Sequence, residues 1–372
     1  MRPAIVHVAE ADLSEETGMG RVAWHWRQAC ENAGWEFVHF GPAEVGRVAH
    51  PALFPRAAWR AFRAQRLKAE IFLLHEPAAA PFVGQGVRSV VFSHGLERRA
   101  WDLTGQGKMD LDEPLRWRTR LCFPFWRLRG CDIGLRRADA VFLINEEDTR
   151  YAARRYALGA ERRWIFHNGV SSISGEQMPA PNGKVRILFL GNWLARKGTR
   201  TLTQAAAIAQ RAGVEAEWTL AGVGQSAESI LAQWPAALAG STKIIPRFPP
   251  HAEGALLQSC DLFVLPSFFE GQPLALLQAM AAARCCITTD CCGQRDLITH
   301  RKNGLLHLPG DVATLAALIV ECAKDAALRR ELGEAARLSV AQRTWPAVST
   351  QVARQLASVA RTGKIDPEMQ PE

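Results

Sequence analysis

No run of about 18 apolar residues occurs in the 372-residue chain, so it offers no candidate for a membrane-crossing helix. Its opening, MRPAIVHVAE, reads as a strand rather than a signal peptide. The expected location is therefore the cytoplasm, at most touching the inner face of a membrane. No segment is of low complexity, and no repeat of solenoid period is present. Ser, His and Asp all occur, but no G-x-S-x-G elbow marks a nucleophile. A disulfide framework is also missing: nine cysteines are an odd number for one, and a cytoplasmic chain keeps its thiols reduced. Cys285-Cys286 and Cys291-Cys292 imitate a paired metal site. Neighbours on a strand point to opposite faces, so Cys285 and Cys286 cannot both reach one ion. They are expected to be small buried residues, and no metal is expected.

What is present is an ordinary globular composition, 48% hydrophobic and 22% charged, at a length that suggests two domains. The net charge is +8 and the isoelectric point about 9.2. The excess is concentrated in an Arg-rich stretch from Arg56 to Arg137. Such a surface suits nucleic acid, anionic lipid or phosphorylated small molecules, and charge alone does not choose among them. A merely solvated Arg-rich surface explains it equally well.

Taken in order, Ala4 to Ala9 is a short strand, followed by a polar loop, Gly18-Met19-Gly20, a helix near Arg21 to Ala33 and a strand from Trp35 to Phe40. Gly18 and Gly20 with Ala23 imitate the dinucleotide fingerprint. A mostly polar loop of eight residues separates them from the strand, though, so a glycine loop approached by a ligand fits better than a nicotinamide site. Strands are also expected at Ile71–His75, Ser89–His94, Ala140–Asn145 and Arg163–His167, alternating with helices around a mostly parallel sheet. His75 and His94 then fall at strand C-terminal ends, where open α/β sheets bind ligands. Leu115 to Arg129 interleaves Arg with Trp, Phe and Leu. It reads as a helical pair packing its aromatics inward, interrupted at Pro124, or as a face for anionic lipid. Asp110-Leu111-Asp112 copies a short acidic metal-binding motif but follows no hydrophobic strand, so it is read as a loop.

Residues 171–183 (SSISGEQMPAPNG) have linker composition. The predicted division is an N-terminal domain over 1–170, this linker, a C-terminal domain over 184–344, and a C-terminal helix over 345–372 that ends in a frayed tail. In the second half, strand Val185–Leu190 runs into GNWLARKGT, which sets Arg196 and Lys197 together at a strand end beside a helix start. That placement suits a diphosphate. Gly222-Val223-Gly224 makes another glycine turn after a strand. From Asp261 to Thr289 the chain reads as one βαβ unit, with strands at Leu262 to Leu265 and Cys285 to Thr289. The intervening helix opens near Pro273, where a missing N–H costs nothing. Amides around Gly271, Leu274 and Ala275, at the positive end of the helix dipole, favour an anion.

Together, PSFFEGQPLALLQAMAAA, LAGVGQ, GNWLARKG, TTDCCGQRDLI…NGLL, HNGV and Trp345 resemble, in order, the group 1 family of retaining glycosyltransferases. The resemblance is strongest from Val185 to Ala341. It implies two Rossmann-like domains facing across a cleft, the GT-B arrangement. It also implies a transfer of sugar from a nucleotide-diphosphate sugar co-substrate to a glycan or lipid-linked acceptor in surface polysaccharide synthesis, without cofactor, metal or nucleic acid. By position, Glu270 would hold the donor sugar and Lys197 would neutralise the diphosphate. His94 would face the sugar. Gly18, Gly20, Arg196 and Gly222, with the backbone of Gly271, Gln272 and Leu274, would complete donor binding. Peripheral contact with an anionic membrane would fall to the Arg-rich 56–137 region.

Two positions depart from the family pattern. Gln278 stands where a second Glu would grip the ribose, and one amide in place of a carboxylate would lower donor affinity by ~1–2 kcal/mol. Asn192 stands where many members carry Arg, a loss that Arg196 would offset. These departures keep a second reading open, a non-catalytic GT-B protein that binds nucleotide sugar or glycan. A basic surface module is the third.

Overall fold

The computed structural model describes residues 2–15, 18–171, 173 and 183–369; most of the expected linker and the last three residues of the chain lie outside them. The chain separates into two compact units. Unit 1 comprises Met1–Leu103, Pro114–Gly169 and Trp345–Glu372, and unit 2 comprises Thr104–Glu113 and Val170–Thr344.

Unit 1 is built on β1 (Ala4–Val8), β2 (Glu36–Phe40), β3 (Ile71–His75), β4 (Arg88–Phe92), β5 (Ala140–Leu143) and β6 (Arg163–Ile165). All pair in parallel, in the order β2-β1-β3-β4-β5-β6. Near-continuous apolar runs such as IFLLH and AVFL produce this sheet because helices cover both of its faces. Val6, Phe40, Phe72, Val91 and Val141 form one core with Phe62 and Phe82. The C-terminal helix Trp345–Thr362 packs on Gly18–Asn32, with Trp345 stacked on His25 at 4.2 Å.

Unit 2 carries β7 (Val185–Leu190), β8 (Ala216–Ala221), β9 (Thr242–Ile245), β10 (Leu262–Leu265), β11 (Cys285–Thr289) and β12 (Leu305–His307). They too are parallel, in the order β12-β11-β10-β7-β8-β9. This is the doubly wound order in which chain direction across the sheet reverses between β7 and β10. Ligands of open α/β sheets bind outside the strand ends at that reversal. Cys285 and Cys286 lie on β11 as small buried residues, and all nine cysteines are free thiols.

The 115–129 stretch corrects one expectation. Trp117–Phe123 and Arg129–Arg137 are not a helical pair but one continuous helical path, joined by a wider π-type turn over Pro124–Leu128. The wide turn removes the clash that a proline ring makes with the preceding helical turn. Three of the four aromatics in this stretch do not pack inward: Trp117, Phe125 and Trp126 are exposed, whereas Phe123 stacks on Trp101 at 5.0 Å.

Candidate active site

β7 ends at Leu190 and the chain turns at Gly191, whose φ of +151° lets the backbone lie against Lys197. A Cβ at Gly191 would stand about 4 Å from the Lys197 Cε and Nζ atoms. A short 3-10 turn, Ala195–Lys197, then leads through left-handed Gly198 into the helix Thr199–Arg211. Gly198 is required by space as well as by φ, because a Cβ there would fall 1.9 Å from the carbonyl oxygen of Pro266. That close approach locks the loop after β7 to the loop after β10. The Phe268 N–H donates to the Arg196 carbonyl at 2.8 Å, and the Arg196 Nη1 donates to the Phe269 carbonyl at 3.2 Å.

The two loops bring their charges together. Lys197 Nζ lies 2.5 Å from Glu270 Oε1, and Arg196 Nη1 lies 3.8 Å from the same oxygen. Glu270 is buried. Burial pushes its carboxyl upward, but the Lys197 and Arg196 charges outweigh that and hold it below the usual range, so it is ionised. The helix Leu274–Ala281 starts immediately beyond, with Pro273 as its N-cap and no side chain capping its first turn. Arg196, Lys197, Glu270, Gly271, Gln272 and Leu274 thus share the β7/β10 reversal. Gly222 adjoins it after β8, 3.8 Å from the Gly191 nitrogen measured from where a Cβ would stand. Two cations and a helix start beside an ionised carboxylate can hold an anion while the carboxylate accepts from hydroxyls.

Gln278 lies on the same helix and is fully buried, and neither its Oε1 nor its Nε2 has a hydrogen-bond partner among the described residues. Native proteins seldom leave a buried amide unsatisfied without a reason. Asp110 and Asp112 have structural partners. Asp112 accepts from the Ala195 N–H at 2.8 Å, and Asp110 pairs with Arg200 at 2.5 Å. Asp112 therefore braces the Ala195–Lys197 turn, and Asp110 the first turn of the helix that follows it.

The remaining predicted residues belong to unit 1. Gly18 and Gly20 are not a loop: the helix runs over Gly18–Asn32, so they form its first turn. The start expected near Arg21 falls three residues late because the two glycines hide it, whereas the end expected near Ala33 lies one residue from Asn32. His94 follows β4 in an aromatic cradle, edge-on to Phe92 and Phe166 at 5.5 and 5.8 Å and tilted toward His75 at 5.7 Å. Desolvation lowers it to about 4, so the ring is neutral at pH 7. His75 is pushed down likewise by burial and by His94 and Arg127. Beside it stands Glu76, which sequence reasoning passed over although an acid straight after a strand end was a signal. It is buried, accepts from Ser93 Oγ at 2.7 Å, and is raised to about 8 by burial and by the Glu97 charge. Gly191 was the other omission. Among the described residues, Asp12, His39 and Glu44 form a group with metal-ligand spacing. Asp12 and Glu44 instead accept from the N–H groups of Ala43 and Gly41, which accounts for their placement at this turn.

Residues 173–339 match the family described as glycosyl transferases group 1. The chain is 28% identical over 186 residues to a D-inositol 3-phosphate glycosyltransferase of Arthrobacter sp., covering 49% of this chain and 44% of the other. It is 35% identical over 79 residues to the N,N'-diacetylbacillosaminyl-diphospho-undecaprenol alpha-1,3-N-acetylgalactosaminyltransferase of Campylobacter jejuni, covering 21% of each. In both cases the match spans less than half of the relative's length. In fold, it is similar to the sucrose-phosphate synthase of Thermosynechococcus elongatus, with a TM-score of 0.77 at 18% identity over 96% of this chain and 99% of the other. Two parallel six-stranded units give the chain the GT-B fold, and residues 173–339, which carry the charged cluster at the reversal of the second, are the part that matches the group 1 glycosyl transferases.

Proposed function

We propose that this protein is a retaining, metal-independent glycosyltransferase that moves a sugar from a nucleotide-sugar donor to a glycan or lipid-linked acceptor in surface polysaccharide synthesis. The observation that carries this reading is the convergence of Arg196, Lys197 and Glu270 at the β7/β10 reversal. In the reaction, the bond from the sugar's anomeric carbon to the diphosphate oxygen breaks and a bond to the acceptor oxygen forms. The acceptor proton ends on the departing phosphate. Negative charge grows on the diphosphate as it leaves, and Lys197, Arg196 and the start of Leu274–Ala281 are fixed where they stabilise it. Glu270, ionised, accepts from donor-sugar hydroxyls. Gly18 and Gly20, at the start of a helix of unit 1, are assigned to the diphosphate and His94, neutral, to the sugar. A lipid-linked acceptor is in keeping with the name of the Campylobacter jejuni relative, which contains a diphospho-undecaprenol.

The test is transfer or donor hydrolysis with a panel of UDP-, GDP- and ADP-sugars, with the product anomer read by NMR. Lys197→Ala and Glu270→Ala should each lower turnover at least ~100-fold, the usual cost of losing one fixed stabiliser of developing charge. Full activity in either variant would sink this assignment of roles. The buried, unsatisfied amide of Gln278 favours one second reading, a protein that binds nucleotide sugar without turning it over. Calorimetric binding with no turnover across the panel would establish that reading instead.

A further inference from the structure

We propose that the Trp117–Trp126 face of unit 1 docks the protein on an anionic lipid bilayer. Of the ten large hydrophobic side chains exposed among the described residues, four fall within these ten positions. They are Trp117, Leu121, Phe125 and Trp126, exposed by 67, 58, 70 and 64%. Soluble surfaces scatter such residues singly, whereas a cluster of this kind marks an interaction site. Trp117, Leu121 and Phe125 recur every four residues along the helical path and so share one side of it. Trp126 continues the patch toward His50, which it meets edge-on at 6.0 Å, and Leu53, also exposed, stands three residues further along.

The charges around this patch select the occupant. No acidic residue occurs between Leu115 and Cys131. Arg116, Arg118, Arg120 and Arg129 are exposed, and Arg118 lies over the Trp117 ring at 5.4 Å. Arg127 differs from its neighbours: it is paired with Glu10 and with Glu97, both at 2.6 Å. Those two acids follow β1 and β4, so Arg127 fastens the helix to the C-terminal edge of the unit 1 sheet and leaves the other arginines facing outward. Indole and phenyl rings partition into the interfacial zone of a bilayer, and guanidinium groups pair with anionic headgroups. A protein partner would be expected to meet the apolar stripe with acidic groups at a drier rim, whereas four arginines interleaved with three aromatics match a surface that is oily and anionic at once. The face is mounted on the same sheet edge as His75 and His94. A membrane-borne acceptor would therefore arrive at that edge, although the docking claim does not depend on the transfer reaction.

The experiment is co-sedimentation of the full chain with vesicles of phosphatidylcholine alone or with 30 mol% phosphatidylglycerol, with tryptophan emission recorded in parallel. The expected result is binding to the anionic vesicles only, a blue shift of emission, and weakening as salt rises. Arg116→Ser, Arg118→Ser and Arg120→Ser combined should weaken binding by roughly 100-fold, at about fivefold per charge. Trp117→Ser, Phe125→Ser and Trp126→Ser combined should abolish the blue shift. These side chains are exposed, so both variants should melt like the wild type, and a donor-binding measurement on each keeps failure of docking distinct from failure of the proposed transfer. Equal binding to neutral vesicles, no binding to anionic ones, or undiminished binding by the aromatic variant would overturn the proposal. So would sedimentation showing a wild-type dimer that the aromatic variant converts to monomer, since the face would then join two copies.

Discussion

The chemistry of the donor half-site comes down to single side chains whose charge state is set by neighbours. Glu270 stays ionised because Lys197 and Arg196 outweigh its burial, so in the proposed reaction Lys197 would have two tasks, holding that carboxylate and meeting the diphosphate. Gln278 is the opposite case, a buried amide with nothing to bond. Replacing it with Met should raise unfolding free energy by about 1–2 kcal/mol, because the unsatisfied group is removed at similar volume. The same change should weaken nucleotide-sugar binding roughly tenfold, as read by calorimetry. An increase in affinity would show that the amide does not serve the donor. Glu76 offers a pH test. Its folded value, about 8, lies above its unfolded value, so the stability linked to its proton is fully present in acid and lost as pH rises through 8. Buried His94 is depressed to about 4 and has the reverse effect, confined to pH below about 6.5. Between pH 6.5 and 8 the wild type should therefore lose at least about 1 kcal/mol of unfolding free energy that Glu76→Gln retains, measured by denaturant titration.

At the scale of elements, what positions these side chains is the contact between two loops. Gly198 lies against Pro266 with no room for a Cβ, and Gly293 lies equally close to the carbonyl of Gly271. Gly198→Ala should cost at least about 2 kcal/mol from left-handed strain and backbone overpacking. It should also reduce turnover with soluble protein remaining, because Lys197 moves away from Glu270. Normal activity in a folded Gly198→Ala protein would show that the loop contact is not needed. The β7 and β11 boundaries were legible in the sequence because their apolar runs are bounded by glycine and polar residues. β12, Leu305–His307, went unseen because three residues are too few to show a period. The helix start at Gly18 was misplaced because glycine is a weak helix former, and neighbouring structure overrides that preference. The exposure of Trp117, Phe125 and Trp126 could not be read either, since the same pattern of residues serves a buried or a surface-seeking helix.

For the whole molecule, both sheets are parallel and six-stranded but differ in strand order, and the pairing order that makes a ligand site could not be derived from one strand at a time. The alternation of strands and helices predicted parallel sheets, but which strands are neighbours depends on packing between distant segments. The placement of Arg196 and Lys197 at a strand end pointed to an anion site, the resemblance to a known family gave Lys197 and Glu270 their expected roles, and the order β12-β11-β10-β7-β8-β9 explains physically why they meet. No helix among the described residues is long and apolar enough to cross a membrane. The central claim is that Lys197 and Glu270 form the donor-handling centre of a glycosyltransferase. The most direct measurement is single-turnover release of nucleoside diphosphate from a panel of nucleotide sugars by wild type, Lys197→Ala and Glu270→Ala. The account predicts release by the wild type from at least one donor, falling ~100-fold or more in each variant while the fold persists by circular dichroism. Equal release by all three proteins would contradict it.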